Sequence, residues 1–281
     1  MAFQNQFKTV ILLALLTALL LWIGSFWGTN GLIFGLIFAL VLNFGSYWFS
    51  DKVVLAMYKA KPITKEDNSE LYNLVMEVAQ MSKIPMPKLY RIPTQNPNAF
   101  ATGRSPKYAA VAVTDGILDI LSKPELRGVI AHEMAHIKNR DTLISTIAAT
   151  IAGVISYAAM MARWGAIFGG FGGGDRDNNG GIELIALAII TPIIATLLQL
   201  AISRSREYLA DETGSKNIHD SYSLASALEK LENNHHKLTF GNKTTSSLFI
   251  VNPFKGTKFW KLFSTHPPTS ERVKKLKSMR W

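Results

Sequence analysis

The stretch "VIAHEMAHIKNRD", residues 129–141, holds two histidines four residues apart, with a glutamate directly after the first. Residues four apart share one face of a helix, so His132 and His136 can present two imidazoles to one cation. Zinc readily accepts such nitrogen ligands, and a catalytic zinc site keeps one position for water. Glu133, beside them on the rim, would accept that water's proton as it attacks a peptide carbonyl. The spacing favours a metal site over a helix with two hydrogen-bonded histidines.

A helix start precedes this stretch. Residues 122–125, Ser-Lys-Pro-Glu, match a capping box with a proline near the first turn. Downstream, the pattern continues through His136 into an uncharged stretch at residues 142–162. We therefore expect an unbroken helix that connects the metal site rigidly to that stretch.

A third metal ligand is expected in "SREYLADETG", residues 205–214. Its acidic residues are Glu207, Asp211 and Glu212. Glu207 and Asp211 share a helix face, so one can bind the metal while the other orients a ligand histidine. In the alternative interpretation, Arg204 or Arg206 pairs with these acids as ordinary helix charge patterning. Spacing alone leaves both interpretations open.

Four stretches contain no charged residue and have about the 20 residues that a membrane-spanning helix needs. They cover residues 9–27, 31–50, 142–162 and 184–203. The first is expected to be an uncleaved anchor, because Phe26 and Trp27 stand where a small-residue cleavage site would be needed. The last two are richer in Ala, Ser and Thr, and Pro192 interrupts the fourth. For them a buried hairpin in a soluble domain is the alternative.

The basic residues predict the orientation in the membrane. Lysines follow the second stretch closely, whereas the short connection at residues 28–30 has none, so residue 51 onward is expected in the cytoplasm. Because predicted ligands flank the third and fourth stretches, those stretches either cross and return as a hairpin or do not cross. The glycine-rich loop at residues 169–181 lacks the ending of a phosphate-binding loop and is expected on the periplasmic side.

The composition excludes some functions. The chain has 281 residues, a net charge of +10 and no cysteine, so it has neither disulfides nor thiol catalysis. Residues 254–281 carry eight Lys or Arg and one Glu, among several aromatic residues. This tail suits an anionic membrane surface or forms a solvated basic face. No recognisable nucleic-acid-binding module accompanies it, so we expect no nucleic-acid partner.

Between the second and third apolar stretches the pattern predicts one amphipathic helix and two strands. The helix is expected at residues 66–82, and the strands at 88–92 and 108–114. Between the strands lies "NPNAFATG", residues 96–103, which is typical of a turn followed by a short extended segment.

Four motifs in order, "NAFATG", "HEMAH", "SREYLADETG" and "STHPPTSER" (residues 264–272), resemble the HtpX-type membrane proteases, relatives of the CAAX prenyl proteases. The similarity extends over nearly the whole chain. It implies a zinc-dependent endopeptidase that cleaves misfolded or damaged membrane proteins in quality control and the stress response. It also implies one zinc ion per chain, in a multi-pass protein of the bacterial inner membrane with its active site on the cytoplasmic side.

The resemblance assigns roles to particular residues. His132, His136 and Glu207 would bind zinc, Glu133 would be the general base, and Asp211 would orient a ligand histidine. Residues Asn98, Ala99, Phe100 and Ala101 would pair with an extended substrate by strand addition. His266 would face the oxyanion. A purely structural turn and strand, and a turn before a helix, are the respective alternatives.

The predicted fold is therefore a mainly α membrane protein with four apolar helices and an α+β zincin-like catalytic domain carrying a small sheet. The predicted parts are two transmembrane helices (1–50), the first part of the catalytic domain (51–140), a transmembrane hairpin (141–203) and the second part with the basic tail (204–281). Protein substrates, chiefly membrane proteins, and the lipid bilayer are the expected partners.

Two other classes of protein fit less well. A transporter or channel places charged residues within its spans, and the four apolar stretches contain none. A catalytically silent scaffold usually loses one residue of the site, but His132, Glu133, His136 and Glu207 are all present.

Overall fold

A computed structural model describes residues 2–25, 28–147, 204–234 and 267–280. The helices are α1 (Ala2–Ser25), α2 (Gly28–Met57), α3 (Ser69–Ser82), α4 (Asp115–Ile120), α5 (Lys123–Asn139), α6 (described over 141–147), α7 (Arg204–Ile218), α8 (Tyr222–Asn233) and α9 (Thr269–Ser278). The strands are β1 (Lys61–Pro62), β2 (Lys88–Ile92), β3 (Ala99–Thr102) and β4 (Ala110–Thr114). The predicted segment 184–203, most of segment 142–162, the loop 169–181 and His266 lie outside the described residues.

Helices α1 and α2 pack against each other as a hairpin. A Cβ atom on Gly35 would lie 2.8 Å from the carbonyl oxygen of Leu20, so glycine permits this close approach. Asn43 Nδ2 also donates a hydrogen bond to Thr17 Oγ1 across the pair, at 2.8 Å. Among the described residues, α2 is the helix long and apolar enough to cross a membrane, by length and composition. The apolar run of α1, Thr9–Trp22, is shorter.

The sheet has four strands in the order β1-β2-β4-β3, so β3 lies at one edge. Strands β2 and β4 are parallel, while β1 and β3 each run antiparallel to their neighbour. The predicted strand at residues 88–92 is confirmed. The second begins at Ala110 instead of residue 108, because Pro106–Tyr108 forms one turn of 3₁₀ helix.

Helix α3 contributes to the main hydrophobic core on one side of the sheet. It begins at Ser69 instead of residue 66, because the side chain of Asn68 accepts a hydrogen bond from the N–H of Leu71 at 3.0 Å and caps the helix. It buries the predicted apolar face, formed by Leu71, Leu74, Val75 and Val78. On the other side of the sheet, the end of α2 packs against β2, β3 and β4, with Tyr58 5.3 Å from Phe100 between ring centroids.

Helix α5 runs through the centre of the main hydrophobic core. The predicted capping box is present, with Glu125 Oε2 accepting from the backbone N–H of Ser122 at 2.8 Å. Glu125 is buried, and it also accepts hydrogen bonds from Ser226 at 2.6 Å and Lys230 at 2.7 Å. Burial alone would raise the pKa of Glu125, but Lys230 and the two serines lower it to about 2.

The expected continuous helix is wrong. Helix α5 ends at Asn139, because Arg140 adopts the left-handed conformation at a φ of 59° and its N–H bonds to the carbonyls of His136 and Ile137. A new helix, α6, begins at Asp141. The chain therefore changes direction between the two-histidine motif and the third apolar stretch.

Candidate metal centre and active site

Helices α5 and α7 bring the three predicted metal ligands together. His132 Nε2 lies 3.1 Å from His136 Nε2. The two carboxylate oxygens of Glu207 lie 3.7 Å from His132 Nε2 and 3.5 Å from His136 Nε2. One ligand atom from each residue therefore lies within 4.8 Å of the others. His132 and Glu207 are buried, and His136 is nearly so.

The chemistry of this cluster fits a divalent metal ion. Both Nδ1 atoms face carboxylates, which fixes each neutral imidazole with its proton on Nδ1 and its lone pair on Nε2. Two such lone pairs facing each other repel unless a proton, as in the metal-free chain, or a metal cation lies between them. Tetrahedral ligands at zinc distances of about 2.0–2.2 Å are roughly 3.3–3.6 Å apart. The observed separations of 3.1–3.7 Å match this spacing.

Two aspartates lie against the Nδ1 atoms of the predicted ligand histidines. Asp211 Oδ1 lies 2.9 Å from His132 Nδ1, in the position predicted for a carboxylate that orients a ligand histidine. Asp141 Oδ2 lies 3.1 Å from His136 Nδ1, and the sequence reasoning missed this contact. On a continuous helix, Asp141 would not share the face of His136, because the two residues are five apart. The break at Arg140 makes the contact possible.

Arg272 holds Asp211 from the opposite side. Its Nε and Nη2 atoms donate to the two oxygens of Asp211 at 2.8 and 2.7 Å, and its Nη1 lies 3.7 Å from Glu207 Oε2. Burial alone would raise the pKa of Asp211, but Arg272 and His132 lower it to about 2. The motif "STHPPTSER" contained this arginine, but nothing in its local spacing revealed a partner in α7.

In the alternative interpretation, Arg204 or Arg206 would pair with Glu207 and Asp211. The structure shows a different arginine, Arg272, paired with Asp211. Arg206 is buried, and its Nη1 lies 3.9 Å from Asp141 Oδ1. Burial lowers the pKa of Arg206, while the charges of Asp141 and Glu207 oppose that change.

The pKa values of His136 and Glu133 are both raised, but for different reasons. Burial lowers the pKa of His136, but the hydrogen bond with Asp141 and the charge of Glu207 outweigh it and raise the pKa to about 9. Burial raises the pKa of Glu133, and the two histidines only partly oppose this. A carboxylate with a raised pKa accepts a proton more readily at neutral pH.

Glu133 lies beside the two histidines as expected, but it is only 5% exposed and is therefore buried instead of lying on the rim. The reason is strand β3, which lies over it: the N–H of Ala101 donates to Glu133 Oε2 at 2.7 Å. The motif "NAFATG" and the two-histidine motif therefore meet at a specific hydrogen bond.

This bond also shows which backbone groups of β3 face outward. Asn98 pairs with Thr114 of β4, through bonds of 2.8 and 3.0 Å, so its backbone groups face β4. Backbone groups alternate along a strand, so those of Phe100 face β4 as well, while those of Ala99 and Ala101 face the open edge beside Glu133. The side chain of Phe100 is buried against Tyr58.

Gly214 allows helix α7 to approach helix α5 closely beside His132. A Cβ atom on Gly214 would lie 2.7 Å from the carbonyl oxygen of Ala131 and 2.9 Å from the backbone N of His132. Both distances are shorter than real Cβ contacts allow, so any larger residue would push the helices apart. The same helix carries Glu207 and Asp211.

Residues 65–280 match the sequence profile of peptidase family M48. The chain belongs to this family. The predicted resemblance is therefore confirmed, and with it the enzyme class: this M48 member is a metallopeptidase whose described residues hold a His132, His136 and Glu207 cluster.

Relatives of similar length agree with this assignment. The M48 chain is 52% identical over 280 residues to a "Protease HtpX homolog" of Syntrophobacter fumaroxidans, covering 98% of this chain and 99% of that one. It is 53% identical over 284 residues to the homolog of Persephonella marina, covering 98% of each chain. The homolog of Pyrococcus furiosus is 51% identical over 277 residues, covering 97% of this chain and 95% of that one.

A solved structure supports the fold. The crystal structure of S. mikatae Ste24p matches with a TM-score of 0.52 at 18% identity, covering 98% of this chain and 66% of that chain. At this identity the match concerns the fold alone. The mainly helical M48 fold with a small sheet is thus confirmed.

Proposed function

We propose that this M48 peptidase is a membrane-integrated zinc endopeptidase that hydrolyses peptide bonds in misfolded or damaged membrane proteins. The observation that carries the proposal is the convergence of His132, His136 and Glu207 beside Glu133, whose carboxylate is held by the edge strand. These three residues would hold one zinc ion per chain. Zinc bound there would polarise the scissile carbonyl and make a water molecule acidic enough to react at neutral pH.

Glu133 is the general base of the proposed mechanism. It takes a proton from the attacking water and delivers it to the leaving amine. The hydrogen bond from Ala101 fixes the orientation of the Glu133 carboxylate. Burial raises its pKa and so favours proton uptake. Asp211 and Asp141 keep the Nε2 atoms of the two histidines available as ligands.

The substrate is proposed to bind as an extra strand on β3. Ala99 would supply its outward N–H and C=O, and Ala101 its C=O alone, because the N–H of Ala101 already donates to Glu133. Asn98 and Phe100 hold the strand in place from the β4 side and the α2 side. Such backbone pairing selects an extended chain without a fixed sequence, which suits unfolded substrates. His266 is proposed to donate to the oxyanion, on the strength of the "STHPPTSER" motif.

The membrane placement follows from α2 and the charge pattern. Helix α2 meets the length and composition of a span and continues directly into the sheet domain through Tyr58. Lysines follow its apolar part. These features support a multi-pass protein of the bacterial inner membrane with the active site on the cytoplasmic side, where substrates in the same bilayer are within reach.

The test uses the full chain purified in detergent and reconstituted in lipid vesicles. We expect one zinc per chain, cleavage of an unfolded membrane-protein substrate, loss of cleavage on chelation and recovery on adding zinc. Glu133→Gln should keep the zinc and lose hydrolysis by about 10²–10⁴-fold, because no proton acceptor remains. Cleavage by Glu133→Gln at the wild-type rate would contradict the mechanism. Cleavage of soluble but not membrane-inserted unfolded substrates would contradict the substrate class.

A further inference from the structure

Three basic side chains lie against aromatic rings where α2 meets the catalytic domain. The guanidinium carbon of Arg104 is 4.5 Å from the ring centroid of Trp48 and 3.9 Å from that of Tyr108. Lys52 Nζ is 5.4 Å from the ring of Phe49, and Lys107 Nζ is 5.8 Å from that of Tyr108. We call this set the aromatic–cation cluster. Its members are Trp48, Phe49, Lys52, Arg104, Lys107 and Tyr108.

The backbone presents Arg104 to α2. Strand β3 ends at Thr102, and Gly103 adopts a φ of +125°, which a residue with a side chain rarely takes. The chain then forms the short turn Pro106–Tyr108, and both Tyr108 and Trp48 of α2 lie against the guanidinium of Arg104.

The stacking leaves the hydrogen-bonding edge of Arg104 available. Aromatic rings contact the guanidinium, and its five N–H donors point outward in the plane. Across the parts of the chain that the structure describes, Arg104 forms neither an ion pair nor a hydrogen bond with a protein group. A planar fork of this kind matches the oxygens of a phosphate group.

The surroundings indicate a lipid as the source of that phosphate. Trp48, Phe49 and Tyr108 are each 41–48% exposed, so the cluster offers apolar rings as well as charge. Aromatic rings of this kind are enriched at the boundary between hydrocarbon and head groups. The cluster has three basic side chains, and Asp51 is the acidic neighbour of Lys52 in the chain. It therefore suits an anionic molecule with an apolar part.

We infer that the aromatic–cation cluster binds the phosphate of an anionic phospholipid head group, with Arg104 as the main donor. The inference rests on the proposed membrane placement of α2.

Binding there would also act on the active site, because Arg104 lies two residues after the end of β3. Thr142 of α6 donates to the carbonyl of Gly103 at 2.9 Å, and Thr102 contacts Thr146 at 3.0 Å between hydroxyl oxygens. A head group bound to Arg104 would therefore help to fix the position of this end of β3, which includes Ala101.

The experiment titrates the full-length chain in neutral detergent with phosphatidylglycerol, phosphatidylcholine or inorganic phosphate. Bound lipid is counted by native mass spectrometry, and thermal unfolding is followed in parallel. We expect phosphatidylglycerol alone to bind and raise the unfolding temperature. Arg104→Gln should weaken this binding by about tenfold or more, and Arg104→Lys by less, because a lysine keeps the charge without the fork.

Arg91→Gln is the matched control, since Arg91 is an exposed arginine of the same sheet that pairs with Asp115. It should bind phosphatidylglycerol like the wild type. Equal binding by wild type and Arg104→Gln, or an equal effect of phosphatidylcholine or inorganic phosphate, would overturn the inference. If Arg104→Gln fails to fold, Arg104→Lys takes its place, and phosphatidylglycerol binding equal to that of the wild type would again overturn the inference. Extraction of the wild-type chain from membranes by alkaline carbonate would instead refute the membrane placement itself.

Discussion

At the scale of single residues, each ligand histidine is tied through its Nδ1 atom to an aspartate. Asp211 was predicted from its spacing to Glu207 and from the motif order, because both residues share one helix face. Asp141 and Arg272 were not predictable in this way. The Asp141 contact depends on a left-handed residue, and the Arg272 contact depends on how α9 docks on α7. Sequence spacing shows neither feature.

The pair Asp211–Arg272 is buried on both sides, so removal of one member leaves an uncompensated charge. Asp211→Ala should lower the free energy of unfolding by about 3–5 kcal/mol. The double variant Asp211→Ala/Arg272→Met should recover part of that loss. Denaturant unfolding of the metal-free protein in detergent measures both values. Glu212→Ala, at an exposed site of the same helix, is the control. Equal losses in the single and double variants would contradict the account.

Zinc binding should depend on pH through His136. Its pKa in the metal-free chain is about 9, so zinc must displace a proton at neutral pH. The affinity should rise about tenfold per pH unit from pH 7 and level off near pH 9. The raised pKa of His136 also contributes to the free energy of unfolding of the metal-free chain. This contribution is complete below about pH 6.5 and is lost as the pH rises through about 9. Competition with a chelating dye measures the zinc affinity. A zinc affinity that stays constant from pH 7 to 8.5 would show that the pKa of His136 is not raised.

At the scale of elements, the site is formed where α5, α7 and β3 meet. The capping box of α5 was predictable, because it depends on residues three apart. The end of α5 was not, because Arg140 is not a residue type that favours the left-handed conformation. The strand β3 was predicted as an extended segment, but its hydrogen bond to Glu133 depends on long-range packing.

Gly214 controls the distance between α5 and α7. Gly214→Ala should force the helices apart at His132, with a loss of about 1–3 kcal/mol in stability, and should lower the zinc content of the purified protein. Gly45→Ala is the matched control, because a Cβ atom there has no neighbour within 4 Å. Zinc content and stability are measured for both variants. A Gly214→Ala protein with full zinc content and unchanged stability would show that the close approach does not position the ligands.

At the scale of the whole molecule, the catalytic domain is assembled from separate parts of the chain. Helix α5 precedes the apolar segments 142–162 and 184–203, the described part of α6 (141–147) forms the beginning of the first segment, and α7 follows the second. The cluster of His132, His136 and Glu207 brings both ends of this region together. In the proposed membrane placement, both ends therefore lie on one side of the bilayer. We expect the glycine-rich loop 169–181 on the other side.

A single cysteine tests this topology, since the chain has none. Gly173→Cys should react with a membrane-impermeant maleimide in intact spheroplasts, because the loop has little basic charge to keep it in the cytoplasm. Lys65→Cys, in the lysine-rich segment after α2, should react only after lysis. Labelling of Gly173→Cys only after lysis would show that the two apolar segments do not cross.

Our main proposal is that ligands from two helices hold one catalytic zinc ion. Its most direct test is the zinc content of purified Glu207→Ala beside Glu212→Ala, whose carboxylate lies on the same helix but is exposed. We expect about one zinc per chain in the wild type and in Glu212→Ala, and a large loss in Glu207→Ala, because a ligand oxygen is removed. Full zinc content in Glu207→Ala, measured by mass spectrometry of the metal in the same preparation, would contradict this proposal.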